Sequence, residues 1–286
     1  MVAGSSIRRR RQFARTTGNV LAEVVLGVGA ALLLVPLGWM LSTALKRSAL
    51  VMVFPPRWVP HPATLQAFVG AWQTMDFLRS LFNTVFLTVA NVVGVELTAS
   101  MAAFAFARLR FPGRDAVFMV ILATLMLPGT VLLIPQFVMF KDLGWLNTYL
   151  PLIVPSFCGG GAFNIFLMRQ FFAATSRDIF DAARVDGCGY WMMYWRIMLP
   201  SAVPAMLIVF VFTFVGTWND FLGPLIYLNN PNLYTLTLQL QNFVGRHVVA
   251  WNQLMAGTLM VAAVPIVLFF VAQRHFTQGV VFTGIR

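Results

Sequence analysis

Six stretches of this chain, each 20 to 30 residues long, carry at most one charge apiece. A hydrocarbon layer about 30 Å thick takes roughly 20 mainly apolar helical residues to cross. Inside it every backbone N–H and C=O must be paired within the chain, which a helix does locally. The pattern therefore predicts an all-α, polytopic membrane protein with six transmembrane helices. The expected spans are residues 20–44, 81–107, 116–140, 149–168, 198–227 and 253–273. They form a six-helix transmembrane domain over 20–274, between an N-terminal segment 1–19 and a C-terminal tail 275–286. Composition agrees: 59% of residues are apolar and 10% charged, against about a quarter charged in an average soluble domain, which excludes a water-soluble globule and a disordered chain. The first run is too long for a signal-peptide core and lacks a small-residue cleavage site, so it is expected to stay as a span.

The net charge of +11 does not point to nucleic acid, because the 20 basic residues are scattered over the short segments between apolar runs. They read as orientation signals. With the N-terminus inside, fourteen of them (Arg8, Arg9, Arg10, Arg11, Arg15, Arg108, Arg110, Arg114, Arg169, Arg177, Arg184, Arg196, Arg274 and Arg286) fall on the cytoplasmic side. Six fall outside, which places both termini in the cytoplasm. Of the outer segments, residues 54–62 are too proline-rich for a helix. Asn229-Asn230-Pro231-Asn232 marks a turn before a Leu/Thr/Gln stretch expected to cap the outer mouth.

The most informative segment is the cytoplasmic loop 175–200. Thr175 followed by Asp178 is a capping pattern that predicts a helix start, and Gly187 predicts its end. On that helix Ile179, Ala182, Ala183 and Asp186 share a face with two methyl-sized side chains, which permits close approach by another surface. Tyr190 to Ile197 offers a second short helix bearing Trp191, Tyr194 and Trp195. Amphipathicity alone fits equally an interfacial loop on lipid headgroups.

The spacing is more specific. Asp181-Ala182-Ala183, three residues, Gly187, nine residues, then Ile197, Leu199 and Pro200 resembles the signature of the permease subunits of ATP-binding-cassette importers, with Asp181 where the family has Glu. Arg169-Gln170-Phe171-Phe172, Gly216-Thr217-Trp218-Asn219-Asp220-Phe221 and the tail from Gln273 to Gly279 extend the resemblance over nearly the whole chain, toward the carbohydrate-importer subgroup. The resemblance implies the type I importer permease fold in a bacterial or archaeal cytoplasmic (inner) membrane, with a cytoplasmic coupling helix. It implies ATPase coupling through Asp181, Ala182, Ala183, Gly187, Ile197, Leu199 and Pro200. It further implies a second permease (a homologue or a second copy), two ATPase subunits and an extracytoplasmic sugar-binding protein as partners. The tail, through Gln278, Gly279 and Phe282, is expected to enter a groove between the ATPase subunits as an extended segment.

The chain carries no phosphate-cradling glycine loop with a following lysine. Neither Lys46 nor Lys141 follows one, and Gly159-Gly160-Gly161 reads as close helix packing or a loosened helix start. ATP and Mg are therefore expected on the partner ATPase, with no cofactor on this chain. His61, His247 and His275, and Cys158 and Cys188, lie too far apart to suggest a metal site or catalytic triad. The chain reads as a transport subunit and no enzyme. Ionisable groups inside spans are costly, so Glu96, and Asp220 with Trp218 and Asn219, are the candidate translocation path; interhelical hydrogen bonding is the competing role. Pro128, Pro135, Pro200 and Pro204 supply bends. The expected function is the permease subunit of an ATP-driven, binding-protein-dependent sugar importer working by alternating access. The alternatives are an importer of another polar solute such as a glycerol phosphate, or an ion-coupled secondary transporter using Glu96 and Asp220 as coupling carboxylates.

Overall fold

The computed structural model describes the backbone of residues 3–245 and 249–281. In chain order the helices are α1 (Ala3–Ala44), α2 (Gln66–Thr74), α3 (Phe77–Arg108), α4 (Arg114–Ala123) and α5 (Gly129–Asp142). Then come α6 (Leu150–Ile153), α7 (Ala162–Ala174), α8 (Arg177–Val185), α9 (Tyr190–Met193) and α10 (Leu199–Ser201). The last four are α11 (Val203–Trp218), α12 (Leu222–Tyr227), α13 (Leu236–Gln239) and α14 (Trp251–Val281). Among the described residues there is no strand, only an isolated bridge between Val244 and Val249. The chain divides into two compact units, residues 1–72 with 243–260 and residues 73–242 with 261–286.

In the first unit, the apolar window within Ala22–Ala44 of α1 is wholly unburied by the rest of the chain. The C-terminal end of α1 is different. Trp39 meets Trp58 edge to face at 4.9 Å, and Ser42 bonds the Trp58 carbonyl. Lys46 is buried with its Nζ 4.3 Å from the Trp39 ring centre, and burial holds its ammonium below the usual lysine range. Asn252 of α14 donates to the Lys46 carbonyl at 3.2 Å. The proline-rich residues 54–62 form no helix.

The second unit is built along α3, whose 32 residues rise roughly 48 Å at 1.5 Å per residue. Small residues let neighbours approach it closely. A Cβ on Gly94 would strike Ser156 and Phe157, and one on Gly160 would lie 2.7 Å from the Val95 carbonyl. Val95, Ala99, Ala103 and Phe104 of α3 join Ile165, Met168 and Phe172 of α7 in one buried cluster. Near its N-terminal end α3 holds the turn expected near Asn230: Asn83 donates to the carbonyls of Asn232 and Tyr234, and Thr84 Oγ1 accepts from Leu236 N–H at 2.9 Å. Asn147 Oδ1 accepts from both Asn229 and Asn230 N–H.

Among the described residues four helices are long and apolar enough to cross a membrane, and six spans result if each of two bent pairs counts as one. Both bends fall beside prolines expected to supply them, Pro128 in one and Pro200 and Pro204 in the other. Residues 114–126 and Gly129–Asp142 meet at 100°, because Pro128 lacks an N–H and forces Leu127 out of the helical region, to ψ 115. The expected span 198–227 starts inside a segment, Tyr190–Ser201, that lies at 76° to α11, and its C-terminal part separates as α12. Helix α14 continues to Val281, so Gln278 and Gly279 are helical and not in an extended tail; Phe282 lies outside the described residues.

Candidate functional site: the loop 175–200 and a polar cavity

Loop 175–200 opens where α7 ends at Thr175, whose backbone is extended at ψ 143. Having closed α7, Thr175 cannot also cap the next helix, so the cap falls one residue later than the sequence suggested. Ser176 Oγ accepts from Asp178 N–H at 3.2 Å and donates to the Asp178 carboxylate at 3.1 Å. At the other end Gly187 N–H bonds Arg184 O (3.1 Å) and Cys188 N–H bonds Ala183 O (2.9 Å), the paired pattern of a Schellman turn. That turn needs a left-handed residue, and Gly187 has φ +79 with open space beside its Cα.

The loop divides its signature residues between two jobs. Phe180 and Ala183 face inward and belong to the buried cluster of α3 and α7, so Ala183 is not on the outer face with Ala182 as the sequence suggested. The exposed face carries Asp178, Asp181, Ala182 and Val185, the last 89% exposed. Beyond Gly187, Met193, Tyr194 and Met198 are buried, and Ile197 and Leu199 pack partly buried against the same cluster. Pro200 is exposed just ahead of the bend into α11. Tyr190, Trp191 and Trp195 stay substantially exposed.

Sequence reasoning missed the part of α3 that seats this loop. Arg108 Nη2 donates to the carbonyls of Phe172 (2.6 Å) and Thr175 (2.7 Å), and its guanidinium lies 5.6 Å from the Phe180 ring centre. Phe104 meets Phe180 at 6.2 Å and Tyr194 at 5.4 Å. The available signal was spacing: Ser100, Phe104 and Arg108 recur every four residues.

The residues expected on a translocation path separate. Asp220 lines a cavity of about 170 Å³ together with Asn91, Thr217 and Thr235 and the apolar Leu87, Leu152 and Pro224. Its Oδ1 accepts from Gly223 N–H at 3.1 Å. Trp218 is not on that wall. Its ring is buried against Phe214 and its Nε1–H donates to Val261 O at 3.2 Å, so it acts as a packing residue. Asn219 is exposed and its side-chain amide donates to Val215 O. Glu96 lies away from the cavity, both carboxylate oxygens buried and without a hydrogen-bond partner among the described residues.

Residues 97–281, which include α8, the Gly187 turn and the cavity residues Thr217 and Asp220, match the family model described as the binding-protein-dependent transport system inner membrane component. The chain belongs to this family. The permease is 30% identical over 246 residues to the arabinooligosaccharides transport system permease protein AraQ of Halalkalibacterium halodurans, covering 86% of each chain. It is 29% identical to the sn-glycerol-3-phosphate transport system permease protein UgpE of Yersinia enterocolitica, over 92% of this chain and 96% of that one. In structure it resembles a chain of a bacterial ABC transporter involved in the import of the acidic polysaccharide alginate. That match has TM-score 0.79 and 25% identity and covers 92% of this chain and 97% of that one. The permease is thus a multi-pass inner-membrane subunit of a binding-protein-dependent importer, with the importer permease fold that the resemblance implied.

Proposed function

We propose that the permease imports a carbohydrate, and that loop 175–200 is where separate ATPase subunits dock. The cavity carries the choice of solute. Its polar wall offers an amide, two hydroxyls and the Asp220 carboxylate, and none of its lining residues is basic. Carboxylates and amides suit the hydroxyls of a neutral sugar, whereas a phosphate calls for Arg or Lys. The relative named for arabinooligosaccharides points the same way. The relative named for sn-glycerol-3-phosphate keeps a glycerol phosphate as the second reading. The docking role is supported by the exposed Asp181 and Ala182 on a helix whose opposite face is anchored in the core.

In this reading the permease forms half of the path with a homologous or identical second permease. Two ATPase subunits hold ATP and Mg, and a sugar-binding protein delivers solute from outside. Both termini and α8 are cytoplasmic, as the asymmetry of basic residues implies. The decisive experiment is uptake in proteoliposomes holding the complete complex. Labelled arabino-oligosaccharide should accumulate only with ATP on the ATPase side and binding protein on the other. Uptake driven by an ion gradient without ATP would overturn the ATPase reading, and uptake of sn-glycerol-3-phosphate alone would decide for the second solute.

A further inference from the structure

The hydroxyls of Ser100 on α3 and Tyr194, just after α9, lie 2.7 Å apart, with Ser100 wholly buried and Tyr194 exposed by 1%. Ser100 has one hydroxyl proton, and the Glu96 and Leu97 carbonyls of its own helix both lie in reach of it. Either hydroxyl can donate to the other by geometry; with the Ser100 proton on its own helix, that role falls to Tyr194. This bond tops a stripe in which each residue of α3 takes a different part of the loop. Arg108 holds its entry at Thr175, Phe104 holds α8 through Phe180, and Ser100 holds its exit at Tyr194. Tyr194 also opens a π-helical turn, Tyr194–Met198, that leads through α10 to the 76° bend at the base of α11. The exit residue of the loop is thus bonded to one long helix and joined by the chain to another.

We propose that Ser100 and Tyr194, backed by Phe104 and Arg108, are positioning residues that make α8 and α3 move as one body, so that displacement of α8 by the ATPase is delivered to the span. The proposal rests on the docking reading of the loop. A buried bond between hydroxyls adds directional constraint that an apolar pair of the same shape lacks, although such a pair would pack there with little loss of stability. Two side chains 94 residues apart in sequence thereby fix the register of the loop on α3.

The asymmetry of the bond gives a clean test. Tyr194→Phe removes the donor but leaves the Ser100 proton on its own helix, so no buried group is orphaned. Ser100→Ala would leave the Tyr194 hydroxyl without its acceptor and threatens folding; the double variant Ser100→Ala/Tyr194→Phe is the second check. In the complete complex, spin labels at the exposed Arg184 on α8, beside the docking face, and at Met101 on α3 report the distance between the two helices. The parent should give one narrow distance that is the same without nucleotide and with ATP and Mg. Tyr194→Phe and the double variant should broaden it or make it nucleotide-dependent. ATP consumed per molecule of arabino-oligosaccharide taken up should then rise about 2- to 10-fold, the factor one hydrogen bond supplies, at unchanged melting temperature. A parent distance that changes with nucleotide, or a Tyr194→Phe complex identical to the parent in both readouts, overturns the proposal. Failure of the docking reading would show separately, as full co-purification of the ATPase with a chain whose exposed face carries Asp181→Arg and Val185→Asp.

Discussion

Gly160 sits so close to Ala99 that a Cβ added to it would lie 2.8 Å from the Ala99 Cβ. The contact seats the start of the α7 segment on α3, and Gly160 also has φ +67, where a side chain is strained whatever the space. Gly160→Val should therefore destabilise the permease by about 2–5 kcal/mol, combining backbone strain with overpacking. Gly144 is the control: φ is +69 but nothing lies within 4 Å, so Gly144→Ala should cost only the strain, about 1–2 kcal/mol. Thermal unfolding of the two variants in detergent gives the comparison, and equal losses would refute the close-packing account.

Gly187 poses the strain question without the steric one. Its left-handed φ closes the Schellman turn after α8, and it has open space around it within the chain. Gly187→Asn should be tolerated, while Gly187→Trp should strain the turn by about 1–2 kcal/mol and also crowd any partner seated there. Pull-down of the ATPase and steady uptake rates measure the second effect; a Trp variant that assembles and transports like the parent speaks against docking at this turn.

Asp181 is exposed on the outer face of α8. If its charge meets the ATPase, Asp181→Glu should keep most of the uptake rate and Asp181→Ala should lose about 10- to 150-fold, the range of one hydrogen bond to a charged group. Equal rates for the two variants would remove the carboxylate from the interface.

Orientation is open to labelling once Cys158 and Cys188 are replaced by Ala. A cysteine at Asn230 should react with an impermeant maleimide added outside intact cells, and one at Arg184 should react only after the membrane is opened. The reverse pattern would invert the topology.

The end of the chain gives a last expectation. Gln278 and Gly279 continue α14 as helix, so a contact with the ATPase there would be made by a helix end. Deleting residues 279–286 should leave the spans folded but separate ATP hydrolysis from uptake. A truncated complex with the parent's transport and its binding-protein-stimulated ATPase rate would leave the tail no role in coupling.

What the sequence disclosed depended on whether the cause was local. Apolar runs, the Gly187 stop and the interval from Asp181 to Pro200 are local, and each points to the fold or family found. Pro128 was legible as a bend, but its 100° angle depends on how the flanking helices pack. The shared face of Ile179, Ala182, Ala183 and Asp186 followed from helical spacing; which side meets the core did not, because Phe180 turns inward only through contacts with Phe104, 76 residues earlier. Trp218 read as part of a translocation path together with Asn219 and Asp220. Its N–H is instead committed to Val261, 43 residues away, while the inconspicuous Thr217 reaches the cavity.

The unburied window of α1 has a consequence for substitution. A helix whose apolar surface is left free by its own chain answers to the thickness and chemistry of its surroundings, not to the shapes of neighbouring side chains. Between Ala22 and Leu41, exchange of one aliphatic residue for another leaves the fold's internal jigsaw untouched, whereas at Ala99 or Ala103 a single added methylene meets α7 or its neighbours. The first span can thus exchange one apolar residue for another while keeping its character, and the buried face of α3 is where such an exchange meets its neighbours.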